Sequence, residues 1–111
     1  MRMLMHMAIP VEAGNEAARS GAFGVPLQKM LEALKPEAAY FTTQASGERG
    51  GFVIFDMKDT SQLPGIAEPF FLAFNARLTF SPVMNAADLA KAGPGIEKAI
   101  KEHSKAKAAS A

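Results

Sequence analysis

Residues 3–9 constrain the fold most, because they form a strand-length run that is apolar on both sides. Alternate residues of a strand point to opposite faces, which divides the run into two sets: Met3, Met5, Met7 and Ile9 on one face, and Leu4, His6 and Ala8 on the other. Pro10 closes the run. A sheet that contains such a strand would expose a large apolar patch if one face stayed open. The sequence therefore predicts a sheet that needs cover on both faces.

Two helical patterns separate this strand from the next one. Residues 12–19 are rich in Ala and Glu, and Gly21 and Gly24 interrupt the pattern before a second helical segment opens near Pro26. In that second segment, apolar residues recur at helical spacing: Leu27, Met30, Leu31 and Leu34. This spacing predicts a helix whose apolar stripe faces the core.

A hairpin comes next. Residues 37–43 and 52–56 each have the composition of a strand. The short connection between them contains Gly47, Gly50 and Gly51, which is typical of a β-hairpin.

The last third of the chain predicts a helix, a strand and a C-terminal helix. Thr60 or Ser61 can cap a helix that Pro69 is expected to kink or end. Residues 74–81 alternate between apolar and polar side chains, as a half-exposed strand does. Residues 96–103 have a helical composition.

The order βαββαβ, followed by a C-terminal helix, is that of the ferredoxin-like α+β fold with a four-stranded antiparallel sheet. We predict one domain over residues 1–103 and a flexible C-terminal tail over residues 104–111. In this fold both main helices pack on one face of the sheet and leave the other face open. A second copy laid sheet to sheet would cover the open face, so we expect a homodimer.

Composition and charge argue against several classes of function. A formal net charge of +1 over 111 residues leaves no field that would attract a nucleic acid. The chain has no cysteine and its two histidines, His6 and His103, are far apart, so no metal site built on cysteine or histidine is predicted within one chain, which leaves only carboxylate sites open. No segment approaches the ~20 apolar residues of a membrane-spanning helix, and the N-terminal apolar run lacks a signal-peptide cleavage site. We expect a cytoplasmic protein without a cofactor that binds neither nucleic acid nor membrane.

Three segments resemble the dimeric α+β barrel superfamily, in which two ferredoxin-like chains pack their open sheet faces together around a cavity. They are residues 36–41, 68–76 and 82–84, and the likeness extends over residues 1–103. Within that superfamily the chain resembles an uncharacterised bacterial family of similar length. The resemblance implies the fold and the dimer, and it supplies no catalytic residues.

More distant likenesses concern function. The end of the third helix and the last strand look like the matching region of muconolactone isomerase, and the general plan is similar to cofactor-free monooxygenases of the antibiotic-biosynthesis type. They imply a small-molecule-binding homodimer, in one interpretation a cofactor-independent enzyme of isomerase or monooxygenase type. The alternative is a non-catalytic interaction or regulatory module, in which the seven methionines and the phenylalanines fill the space between two sheets.

Two residues are candidates for catalysis. His6 lies inside the first strand, and histidine is the residue type that changes charge near neutral pH, which suits a general base. It can equally be a hydrogen-bonded histidine of a core or dimer interface. Glu68 precedes two phenylalanines where the third helix meets the last strand, and a carboxyl group partly buried there would suit a general acid. Glu68 can instead cap the helix or pair with Arg77 or Arg49.

Three further residues are candidates for ligand binding. Tyr40, the single tyrosine of the sequence, can position a carbonyl or phenol-like ligand, or bury its ring with the hydroxyl bonded to backbone. Asn75 and Arg77 share one face of the predicted last strand, and a guanidinium group favours a carboxylate-bearing ligand. If that strand is a sheet edge, both residues face water. Together these side chains predict a small anionic or aromatic ligand.

Overall fold

The computed structural model describes the backbone of residues 1–110 and the side chains of residues 1–104. Its strands, in chain order, are β1 (Arg2–Ile9), β2 (Ala38–Thr43), β3 (Arg49–Asp56) and β4 (Arg77–Pro82). Its helices are α1 (Val11–Ser20), α2 (Gly24–Leu34), α3 (Leu63–Phe74), α4 (Ala86–Lys91) and α5 (Gly93–Ser110), with a 3₁₀ turn at Thr60–Gln62 before α3. The tail predicted for residues 104–111 lies almost wholly outside the described side chains.

The strands form one antiparallel sheet in the order β2-β3-β1-β4. β1 pairs with β3 along one edge and with β4 along the other, and β2 pairs with β3. This topology confirms the predicted ferredoxin-like α+β fold. It also places the doubly apolar β1 inside the sheet, where its backbone groups find partners on both edges.

Helices α1, α2 and α3 cover one face of this sheet. The core beneath them is built from β1, β3 and α3 and includes Met3, Met5, Met7, Ile9, Val53, Phe55, Phe70 and Phe74. The four α2 residues predicted to face the core are partly buried against it, which confirms the predicted stripe. Side chains at the alternate positions of each strand point away from the helices.

α3 continues through Pro69 to Phe74, so Pro69 does not end the helix, which was one of the two outcomes that the sequence predicted. A proline leaves the carbonyl oxygen of the residue four positions earlier, here Gly65, without its helical hydrogen bond. Pro69 and Gly65 are both exposed, so water can satisfy that oxygen. The helix persists because Phe70 and Phe74 are each only 1% exposed, and burial of such a side chain contributes roughly 1.5–3 kcal/mol.

β4 begins at Arg77, later than the strand predicted from residue 74. Phe74 is still helical, and Asn75 follows it in the left-handed conformation with a φ of 50°. The N–H of Asn75 donates to the carbonyl oxygen of Phe71 at 2.9 Å, which closes the helix. Asparagine visits this conformation more readily than most residues. The apolar–polar alternation at residues 74–76 therefore belongs to a helix end and a turn.

α4 and α5 lie outside the two-layer core. Each side chain from residue 94 to residue 104 of α5 is exposed, and Ile96 and Ile100 remain 49% and 57% exposed. Over the described part of the chain, no helix is long and apolar enough to cross a membrane. α5 therefore contributes little to the core of its own chain.

Candidate functional site

The face of the sheet opposite the helices, called the open face below, carries the side chains that alternate with the core residues. It consists of Arg2, Leu4, His6 and Ala8 of β1, Ala38, Tyr40 and Thr42 of β2, Gly50, Phe52, Ile54 and Asp56 of β3, and Arg77, Thr79 and Ser81 of β4. Strand pairing aligns one residue of each strand in its central row: Tyr40, Phe52, His6 and Thr79. Tyr40 and Phe52 are 67% and 39% exposed. An aromatic row with one imidazole thus crosses the middle of the open face.

His6 is half-buried and held by two neighbours. Its ring stacks on Phe52, with 4.8 Å between centroids and 23° between the planes. The Nε2 atom of Gln44 donates to the carbonyl oxygen of Met7 at 2.8 Å. The Oε1 atom of Gln44 therefore accepts from Nε2 of His6, which lies 2.9 Å away. In its neutral form His6 carries the proton on Nε2, and Nδ1 is the basic nitrogen.

Gly50 gives Gln44 the space to reach His6. Gln44 follows β2 and extends across β3 to β1, passing over Gly50. A Cβ atom at Gly50 would collide with Nε2 of Gln44 and with the carbonyl oxygen of Met7. Gly50 therefore shapes the open face by letting Gln44 cross β3.

Arg77 lies beside the central row, on edge strand β4, and pairs with Glu48. Its Nη2 donates to Oε1 of Glu48, and Oγ of Ser46 donates to the same oxygen at 3.0 Å. The hydrogen bond from Arg77, and after it the one from Ser46, lowers the pKa of Glu48 from its ordinary value. The side chain of Glu48 is 12% exposed and that of Arg77 is 63% exposed. Arg77 is therefore a cation that is held by Glu48 while most of its side chain stays exposed.

The structure brings three of the predicted site residues together and separates the other two. His6, Tyr40 and Arg77 share the open face. Glu68 is exposed on α3, in the helix layer on the opposite side of the sheet, rather than partly buried among aromatic rings. Asn75 caps the end of α3 and does not belong to β4. The sequence placed Asn75 beside Arg77 because it predicted a strand that begins at residue 74, whereas β4 begins at Arg77.

Sequence reasoning missed Gln44, Glu48 and Phe52 as members of the site. The first two flank the hairpin turn, where the N–H of Gln44 donates to the carbonyl oxygen of Glu48 at 2.9 Å. A three-residue turn that ends at Gly47, whose φ is 84°, places its flanking residues side by side. That signal was present in the sequence, but the position of Gln44 over β3 also depends on strand pairing.

The open face offers a limited chemistry. It has one imidazole that can accept a proton, exposed aromatic rings for stacking, and two guanidinium groups. Arg2 is paired with Glu37 and Asp88, whereas the more exposed Arg77 can meet an anion. Within residues 1–104, no three His, Asp or Glu side chains converge as metal ligands do. The arrangement suits a small aromatic or anionic molecule.

No protein-family model and no curated protein matches the sequence. Among solved structures, the chain is similar to a formyltetrahydrofolate deformylase from Pseudomonas putida KT2440, with a TM-score of 0.44 and 13% sequence identity. The match covers 74% of this chain and 28% of that protein, so the chain spans little more than a quarter of its length. The fold assignment rests on the strand order and helix placement of the chain itself.

Proposed function

We propose that the chain forms a homodimer through its open face and binds a small aromatic or anionic molecule between the two sheets. The observation that carries this proposal is the central row, in which Tyr40, Phe52 and Thr79 are exposed and His6 is half-buried. No described helix of the chain covers it. Small-molecule sites combine apolar and aromatic walls with a few placed polar groups, and this row has that composition.

The size of the open face supports a second copy as its partner. Strands of six to eight residues, spaced about 4.8 Å apart, give it a flat outline of roughly 400–500 Å². Projecting side chains raise the accessible surface above that outline. Two facing copies would bury an area near the lower end of the roughly 1,200–2,000 Å² typical of specific interfaces. A symmetric dimer also requires only one patch that fits itself, as the resemblance to the dimeric α+β barrel superfamily implied.

Within this dimer, His6 would act as general base and Arg77 as the anion-binding group. The bond from Nε2 of His6 to Gln44 leaves Nδ1 to take a proton from a ligand. The exposed guanidinium of Arg77 can bind a carboxylate through two parallel hydrogen bonds. These groups suit cofactor-independent chemistry of the isomerase or monooxygenase type, and proton transfer alone suffices for an isomerisation. Glu68 has no part in this proposal, because it lies across the sheet from His6.

One observation favours the alternative of a non-catalytic interaction or regulatory module. His6 already has a hydrogen-bond partner in Gln44 and a stacking partner in Phe52, as a structural histidine does. In that case the two open faces would pack on each other without a ligand.

Native mass spectrometry separates these functions. The protein would be purified from the cytoplasmic fraction of its own host, where we expect it to reside. A dimer with a reproducible extra mass that is lost in His6→Ala, while the dimer persists, supports the small-molecule function. The matched control is His103→Ala, since His103 is exposed on α5 and should leave the extra mass in place. A bare dimer supports the alternative, and a monomer contradicts both.

A further inference from the structure

We infer that the chain has a second binding site, on the helix side of the sheet, that takes a small apolar carboxylate through Arg49. The site is a cavity of about 320 Å³ where α2 meets the ends of β1, β2 and β3. Its walls include Met7, Ile9, Phe23, Leu27, Phe41 and Arg49. Ligand pockets span roughly 300–1,000 Å³, so this volume suits a small molecule. The inference does not depend on the proposed dimer.

The sheet lies between this cavity and the central row of the open face, although Thr42 and Gly50 of the open face also border the cavity. Arg49 stands opposite Ile9 in β1 and opposite Thr43 in β2, and Ile9 belongs to the buried core under the helices. His6 occupies an alternate position of β1 and points to the other side. A ligand in the cavity would therefore leave the central row of the open face untouched.

Arg49 has hydrogen-bonding capacity to spare. Its Nη1 donates to Oδ1 of Asn15 at 3.0 Å, and its guanidinium carbon lies 6.0 Å from the centre of the Phe23 ring. None of the ion pairs among the described residues involves Arg49. A guanidinium has five N–H donors, and Asn15 accepts from one of them. A half-buried cation without a carboxylate partner favours an anion in the adjoining cavity.

A buried glycine in α1 makes room for this guanidinium. Gly14 lies within the helix, where glycine costs roughly 0.5–1 kcal/mol relative to alanine. A Cβ atom at Gly14 would lie 2.8 Å from Nη1 of Arg49. Glycine is thus unfavourable at this helical position. Any larger residue there, however, would displace the guanidinium of Arg49. Gly14 therefore allows Arg49 to keep this position at the edge of the cavity that it lines.

The walls set the class of ligand. One cation lines the cavity; the wall also includes Thr42 and Thr43, and its other large side chains are apolar or aromatic. A single guanidinium matches the charge and the planar fork of one carboxylate. The apolar wall requires an apolar body on the same molecule. Arylacetates and branched-chain carboxylates have this combination.

Phenylacetate and phenylacetamide form the test pair, because they share a shape and differ in charge. We expect phenylacetate to shift the backbone amide NMR signals of Phe23, Phe41 and Arg49, and to bind about tenfold or more tightly than phenylacetamide. Arg49→Gln should weaken phenylacetate binding by about tenfold or more, since it removes a charge-assisted hydrogen bond. Arg19→Gln is the matched control: Arg19 is exposed at the end of α1, and its loss should leave the affinity unchanged.

A second variant keeps the test independent of the Arg49–Asn15 bond. Leu27→Trp fills the cavity and leaves Arg49 in place, so it should weaken phenylacetate binding by about tenfold or more as well. Equal affinity for the acid and the amide would overturn the inference. So would unchanged binding in Arg49→Gln or Leu27→Trp, amide shifts confined to the open face, or no saturation below about 10 mM phenylacetate. Failure of these tests leaves the proposed dimer standing, since none of them perturbs the open face.

Discussion

Replacing Tyr40 by alanine should weaken self-association by about two orders of magnitude without unfolding the chain. Tyr40 is 67% exposed in the single chain, and a tyrosine side chain offers about 200 Å², which leaves about 130 Å² for a partner. If the facing sheet covers half of this area, each tyrosine contributes about 1.6 kcal/mol at 25 cal/mol per Å². A symmetric dimer loses two tyrosines at once, about 3 kcal/mol, which is roughly a hundredfold in the dissociation constant.

Leu72→Ala is the matched control. Leu72 is 80% exposed on α3, in the helix layer, so its replacement removes apolar surface that the proposed interface does not use. Sedimentation equilibrium across a dilution series measures the dissociation constant of the wild type and of both variants. Far-UV circular dichroism checks that each variant is folded.

Two results would refute this reasoning. The first is a wild-type chain that stays monomeric at about 100 µM. The second is an equal effect of Tyr40→Ala and Leu72→Ala on the dissociation constant, because the interface would then not involve the open face.

Three further perturbations test the fold and the site. Phe70→Ala should lower the free energy of unfolding by about 3–5 kcal/mol, because its ring is 1% exposed in the core; a loss below about 1 kcal/mol in a urea titration would contradict this packing. Glu48→Gln removes a carboxylate whose pKa is lowered by the hydrogen bond from Arg77. In the wild type this bond contributes stability that is present when the pH is above 4.5, the ordinary pKa of the group, and is lost as the pH falls below that value. The advantage of the wild type over the variant in urea midpoint should shrink between about pH 7 and pH 3, and a constant advantage would argue against the pair. Asn75→Ala should cost about 1 kcal/mol more than Asn75→Gly, because the residue has a φ of 50°; equal melting temperatures would rule out this strain.

The elements that could be predicted from the sequence are those with a local signature. The spacing of four apolar residues in α2 predicted the stripe that packs on the core. The alternation in β1 predicted its two faces, and Met5 and Met7 indeed lie in the core while His6 lies on the other face. Hydrophobic periodicity involves residues a few positions apart. The element that it predicts therefore does not depend on contacts with distant parts of the chain.

Predictions failed where a distant contact outweighed a local signal. Pro69 is a helix breaker by local rules, but the burial of Phe70 and Phe74 carries α3 past it. The same extension turns Asn75 into a helix cap and leaves Glu68 on the exposed side of α3. Core packing therefore decided which of the predicted polar residues reach the candidate site.

The sequence by itself determined that β1 separates His6 from the methionines, because alternation follows from the geometry of one strand. It left open which of the two sets faces the helices, and a shift of one residue would have reversed them. Only the tertiary structure decided that His6 lies on the open face, with Gln44 as its hydrogen-bond partner. The physical reason is that this bond joins residues 38 positions apart and exists only after β1, β2 and β3 have paired in one register.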